Sequence, residues 1–376
     1  MTTNLAAEYL QDDAPSNSKY RLWRTFPIIQ GVPNTILVHG AVVTLLWPDC
    51  ALHEPDKRNN KKICGFQNLS CLLHSTCGHN VWEFEYADIC IDVPFWGERC
   101  VNYGSLTNYS NELIEAIEKV QSLNSGSAVN IIAHSMGGLI ARCAAQKMPE
   151  GTVDRIVTLD TGHFGFEFAA FFDQAGINEL PPRLKTLVLC AEEATPGSKF
   201  LWNLTQNFTY DKYKLLSIAA SDQTVTSHTS SHLVKVSGNG AVIPPPDSNI
   251  LFDIVDGNHV GIPEIYNASL PAFISIKSFL SDSFVNPQPP SDGRLYFTVV
   301  LSEKPQSGYP KLWSKQHTPL GTISDSIDDL GYHAVVFTVA DVVGDQPIRI
   351  EYADNKFVDS CLTEKQSSIT IDPIPR

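Results

Sequence analysis

The 376-residue sequence predicts an α/β fold, a mostly parallel sheet flanked by helices, followed by a small C-terminal all-β, sandwich-like domain. Three observations carry this. Strand-type apolar runs and helical-period segments alternate from about Thr25 to Leu280, the pattern of a parallel sheet covered on both faces. A proline-rich break, "VNPQPPSDG", follows. Beyond it the helical period disappears, and short β-type runs separated by turn residues take over. The expected organisation is a soft N-terminal tail over 1–20, an α/β domain over 21–283, a linker over 284–293 and a β-rich domain over 294–376.

The elements read in order. "NTILVHG" is a buried strand ending in Gly40, and "YADICIDVP" is a second apolar run, stopped by Pro94. "SNELIEAIEKVQSL" places Leu113, Ile114, Ile117, Val120 and Leu123 at helical spacing. A turn leads into the strand "VNIIA", and "GGLIARCAAQ" is a helix directly after it. "VDRIVTLD", "YKLLSIAASD" and "NILFDIVDG" are further strands, and "PAFISIKSFLSDSF" is a closing helix. The β-rich end is carried by "GRLYFTVVLSE", "YHAVVFTVADVV", "QPIRIEYAD" and "SSITIDP".

Composition narrows the function classes. A formal net charge of −14 repels phosphate backbones and argues against a nucleic-acid partner. No run is long enough to cross a bilayer, and the first twenty residues lack the basic and apolar regions of a signal peptide. The expectation is a soluble, cytoplasmic chain, or a secreted one where a leader has been removed. Nine cysteines leave one thiol over in a monomer, and six of them fall between Cys50 and Cys100. Asn68, Asn108, Asn203, Asn207 and Asn267 head glycosylation triplets that matter only in a secreted eukaryotic chain. Reduced thiols and chance triplets are the reading that goes with the absent leader.

The segment "VNIIAHSMGGLIAR" poses the functional question. It sets Ser135 at the switch from strand to helix, between Ala133 and Gly137. A nucleophile elbow needs small residues at those two positions, because the reversing backbone leaves no room for larger side chains. The tight turn raises Oγ above the sheet, and the following helix aims its N-terminus at developing negative charge. Ala-His-Ser-Met-Gly, with Gly138 behind it, meets the size limit although its first residue is Ala rather than Gly.

With these residues the chain resembles the α/β-hydrolases, specifically the lipases and carboxylesterases of the bacterial Ala-His-Ser-Met-Gly group, over about Thr35 to Leu280. "ILVHG" resembles that family's early strand ending in His-Gly. The resemblance implies that the amides of Ala41 and Met136 form the oxyanion hole, with His39 structural. It implies the chain order Ser, acid, His. "FDIVDGNHVGI" resembles the family's histidine loop and nominates His259 as base, ahead of His228 and His232, which lack a preceding strand. Two aspartates compete as the acid. Asp222 follows the strand "LLSIAAS" and is placed first; Asp160, ending "VTLD", is the alternative.

A Ser135–His259–aspartate triad needs no cofactor. The implied activity is cleavage of a carboxylic ester through an acyl-enzyme. The implied partner is a small acyl ester or lipid, with transient contact at a lipid surface. Thioesterase, amidase or acyltransferase chemistry on the same triad is the alternative, and a non-catalytic ligand-binding protein on this scaffold is a third reading. Oligomeric state is not legible. "CLLHSTCGH" brings Cys71, His74, Cys77 and His79 to spacings compatible with zinc, disulfides or simple packing, and no second ligand pair follows. No metal is expected. The aromatic segment 162–195 suits either a lid or an ordinary packing helix.

Overall fold

A computed structural model describes residues 11–40, 66–86, 89–93, 97–101, 104–163, 165, 190, 193–194, 199–206, 212–221, 226, 231, 235–236, 242–243, 250–259, 261–263 and 265–284, with seven strands between 295 and 371. The chain forms two compact units. The first comprises Met1–Thr161, Asp211–Asp222 and Leu251–Asn286, and the second Gly162–Tyr210, Gln223–Ile250 and Pro287–Arg376.

In chain order the elements are β1 (Gln11–Asp12), β2 (Arg21–Arg24), β3 (Asn34–Val38), helix α1 (Gln67–Leu72) running into a π-helical turn at Leu73–Cys77, β4 (Asn80–Glu85), β5 (Ile89–Val93) and β6 (Gly97–Val101). Then come α2 (Leu106–Leu123), β7 (Val129–His134), α3 (Met136–Lys147) and β8 (Val153–Leu159). After α4 (Lys199–Gln206) follow β9 (Lys214–Ala220), β10 (Lys235–Val236), β11 (Val242–Ile243), β12 (Ile250–Val255) and α5 (Pro271–Leu280).

An eight-stranded sheet in the order β1-β2-β4-β3-β7-β8-β9-β12 organises the first unit. Strands β4, β3, β7, β8 and β9 pair in parallel. The β1–β2 ribbon joins β4 antiparallel at one edge. The central strands are buried along their length, which is why they read as continuous apolar runs. Leu37, Ile132, Val157 and Leu216 share one core layer with Leu69, Leu73, Phe273, Ile276 and Phe279 from the α1 and α5 region. The alternate residues Ile36, Ile131 and Ile156 lie on the other face of the sheet. Helix α2 buries Leu106, Tyr109, Leu113, Ala116, Ile117 and Val120, one stripe at helical spacing. Its N-cap Ser105 accepts a hydrogen bond from the Asn108 amide at 3.1 Å.

The mostly parallel sheet with flanking helices agrees with the sequence reading, with three corrections of detail. Strand β4, "NVWEFE", is a central strand that the sequence reading passes over. Its Glu83 and Glu85 obscure the pattern, yet Glu83 is buried and Glu85 Oε2 accepts the Trp23 indole N–H at 2.7 Å. The more apolar "ICIDV" forms β5, which stays outside this sheet and pairs with β6 as a separate antiparallel ribbon. Residues 11–20 fall in the stretch read as a tail, but a buried ion pair ties them to the sheet. Asp13 Oδ2 accepts Arg24 Nε–H at 2.8 Å and the Trp82 indole N–H at 2.9 Å.

The second unit ends in seven strands, β13 (Leu295–Leu301), β14 (Lys311–Ser314), β15 (Thr322–Ile327), β16 (His333–Val339), β17 (Gln346–Ala353), β18 (Lys356–Leu362) and β19 (Ser368–Ile371). They form a four-stranded sheet β15-β16-β13-β19 and a three-stranded sheet β14-β17-β18. All pairings are antiparallel except β13 with β19, in keeping with the all-β expectation. Among the described residues no helix is long and apolar enough to cross a membrane.

Candidate active site

Strand β3 lies between β4 and β7, so the chain crosses over it on the way from β4 to β7. The carboxyl ends of β3 and β7 therefore flank a topological switch point, the place where open α/β sheets form a crevice. Gly40 and Ser135 stand there. Ser135 has φ 54° and ψ −129°, a conformation that costs a non-glycine residue energy and is kept only when its surroundings impose it.

Those surroundings are specific. The Ser135 amide donates to the Leu159 carbonyl at 2.9 Å, which docks the elbow onto the end of β8. Its carbonyl accepts from Thr161 Oγ1 at 2.9 Å and from the Gly138 amide at 3.0 Å. A Cβ at Gly137 would stand 2.3 Å from the His39 carbonyl oxygen and 2.7 Å from that of Val38. A Cβ at Gly138 would stand 2.2 Å from Thr161 Oγ1. The two glycines thus let α3 approach β3 and Thr161 closely enough to hold the turn.

From Ser135 a polar chain runs inward. Ser135 Oγ lies 2.9 Å from His259 Nε2, and His259 Nδ1 lies 2.6 Å from Asp160 Oδ2. Asp160 is fully buried, has φ 46°, and its Oδ1 accepts the Ala220 amide at 3.0 Å. With Nδ1–H donating to the carboxylate, Nε2 is left as acceptor for the serine hydroxyl. The aspartate on His259 is therefore Asp160, which the sequence reading placed second. Asp222, placed first, lies outside the described residues, and the Nδ1 side of His259 is occupied without it. The physical reason is the turn at the end of β8. The left-handed Asp160 folds back across the sheet end, with its amide donating to the Ile218 carbonyl of β9 at 2.7 Å.

A second histidine supports the first. His134 Nε2–H donates to the His259 carbonyl at 2.8 Å, and the two rings lie 4.8 Å apart. Burial pushes the His134 ring well below the usual histidine range, and the neighbouring His259 pushes it the same way, so it acts as a neutral donor. On the β3 side, Tyr86 Oη lies 2.8 Å from the His39 carbonyl and 3.0 Å from that of Gly40. Its ring stacks on His39 at 4.1 Å. Sequence reasoning missed His134, Thr161 and Tyr86, since their partners are 125, 26 and 47 residues away.

Met136 opens α3, where the first amides have no intrahelical acceptor and face the elbow end of the helix. Ala41, the other expected oxyanion donor, lies outside the described residues, as does most of the segment 162–195. Ala133 is fully buried in β7. The Cys71, His74, Cys77 and His79 set is spread among other partners. His79 Nδ1 meets Thr35 Oγ1 at 2.7 Å, and His74 stacks on Phe26 at 4.0 Å with Nδ1 donating to the His79 carbonyl. Cys71 and Cys77 are free thiols. Among the described residues no group of three or more His, Cys, Asp or Glu could hold a metal ion.

Residues 99–177, which include the elbow and Asp160, match a family described as a PGAP1-like alpha/beta domain. No curated protein matches the chain in sequence. Among solved structures, phospholipase PlaB from Legionella pneumophila aligns at 13% identity and TM-score 0.50, over 91% of this chain and 93% of that one. A carboxylesterase of the thaumarchaeon Nitrososphaera gargenis aligns at 16% identity and TM-score 0.42, over 73% and 98%. Naproxen esterase from Bacillus subtilis aligns at 14% identity and TM-score 0.38, over 70% and 87%. The sheet order, the elbow at the switch point and the likeness to PlaB establish that this chain has the α/β-hydrolase fold.

Proposed function

We propose that the protein is a serine hydrolase that cleaves carboxylic esters through an acyl-enzyme on Ser135. The observation that carries this is the continuous hydrogen-bonded chain from Ser135 Oγ through His259 to the buried Asp160. In the reaction His259 Nε2 takes the serine proton as Oγ attacks the acyl carbon. Asp160 holds the imidazole in the Nδ1–H tautomer and stabilises its positive form. The Met136 amide, with the residue after Gly40, receives the oxyanion. His259 then gives its proton to the departing alkoxide, and water repeats the sequence to release the acid. That a phospholipase shares the fold agrees with an acyl ester of lipid type as the substrate class.

A fluorophosphonate probe and a panel of p-nitrophenyl esters test the reading. The wild-type protein is expected to carry the phosphonyl group on the peptide containing Ser135, and to show acyl-enzyme mass in ester turnover. Full esterase activity in Ser135→Ala, or labelling at another residue, would overturn it. Matched thioesters and amides of one acid place the leaving-group preference.

A further inference from the structure

The cysteine-rich stretch noted in the sequence plays no part in this chemistry, yet the backbone organises two of its members. Strands β5 and β6 pair antiparallel with one-to-one register across all five residues, from Ile89 opposite Val101 to Val93 opposite Gly97. In that register Cys90 is the direct partner of Cys100. Directly opposed residues of an antiparallel pair lie on the same face, with Cα atoms about 4.5–5.5 Å apart. This falls inside the range of about 4.4–6.8 Å that a disulfide spans. No shift of register is required. A ribbon of only two strands is marginal in water, so a covalent closure acts where hydrogen bonding alone holds the chain weakly. The ribbon also begins just beyond Tyr86, whose hydroxyl holds the His39 and Gly40 carbonyls at the site.

We propose that Cys90 and Cys100 are a redox-active pair that closes the β5–β6 ribbon with a cross-strand disulfide. The oxidant is a small-molecule disulfide of the glutathione type. One cysteine thiolate attacks a sulfur of oxidised glutathione, forming a mixed disulfide and expelling one glutathione thiolate. The second cysteine thiolate attacks the protein sulfur of that mixed disulfide and expels the other. Two protein thiols are oxidised, one oxidised glutathione is reduced to two thiols, and the two cysteine protons end on them.

The test uses the full chain, equilibrated with reduced and oxidised glutathione in graded ratios, quenched by alkylation and mapped without reduction by mass spectrometry. The expected product is a Cys90–Cys100 cross-linked peptide, lighter by two hydrogens. It should exceed any cross-link to Cys71 or Cys77 by about tenfold or more, because the register fixes a high effective concentration. Cys90→Ser should leave Cys100 as a glutathione mixed disulfide, and Cys100→Ser the reverse. Independent alkylation of both cysteines under the oxidising mixture, or preferential pairing of either with a third cysteine, overturns the proposal. The wild-type map decides it whether or not either variant folds, and it does not depend on any catalytic role for Ser135.

Discussion

Asp160→Asn is the substitution that separates the two aspartates. Asp160 Oδ1 is fixed as acceptor of the Ala220 amide, so asparagine keeps its carbonyl oxygen there and turns its NH2 toward His259 Nδ1. The NH2 can only donate, so Nδ1 must accept and the ring proton moves to Nε2. The nitrogen 2.9 Å from Ser135 Oγ is then a donor and cannot take the serine proton. The wrong tautomer costs about 10⁴ in kcat, or about 5 kcal/mol of barrier, with the fold intact. Steady-state hydrolysis of a p-nitrophenyl ester at pH 7 to 8, with thermal unfolding alongside, measures it. KM should change little, and Asp222→Asn should stay within about threefold of wild type in kcat. If Asp160→Asn keeps more than about a tenth of wild-type kcat, or Asp222→Asn suffers the larger loss, the assignment of the acid is wrong.

Three further outcomes follow from the same geometry. Gly137→Ala drives a methyl into the Val38 and His39 carbonyls at the end of β3, so it should cost about 3 kcal/mol or more, or abolish soluble expression; a Tm within about 2 °C of wild type would contradict the close approach. His134→Leu should lower kcat by about tenfold or more with KM nearly unchanged, and His134→Gln, which restores a donor near the Nε2 position, should recover most of it. Equal damage in both variants would refute the role of the bond to the His259 carbonyl. Burial, with Arg155 adding to it, lowers His79 to about 4, so the folded protein keeps this ring neutral where the unfolded chain protonates it. Its contribution, up to about 3 kcal/mol, is complete above about pH 6.5 and is lost as pH falls through about 4. Denaturant titrations at pH 7 and pH 5 should show a smaller difference in His79→Gln than in wild type.

What the sequence discloses here is what is encoded locally. The elbow is legible because its constraint is steric and lies within five residues, Ala133 to Gly137. His259 is legible because a strong strand precedes it and a helix follows. The choice between Asp160 and Asp222 is not local. Both follow strand-type runs in the sequence, and it is the positive φ of Asp160, with its bonds to Ile218 and Ala220, that brings its carboxylate to the histidine. Strand β4 is obscured for a related reason, since Glu85 is satisfied by Trp23, 62 residues earlier. In the opposite direction, the apolar residues of β5 suggest a core strand, and only the pairing partner shows it to be part of a ribbon.

The wide spacing of the polar chain at the site has a consequence for biosynthesis. Ser135 leaves the ribosome 124 residues before His259, an interval of about 6–25 s at ordinary elongation rates. On the proposed mechanism the serine lacks its base throughout that interval. Esterase activity therefore dates the moment at which the last strand and the histidine loop of the first unit dock. A nascent chain stalled before His259 would carry its nucleophile in a harmless form, and recovery of turnover during refolding would time the closure of the sheet's far edge rather than the formation of the elbow.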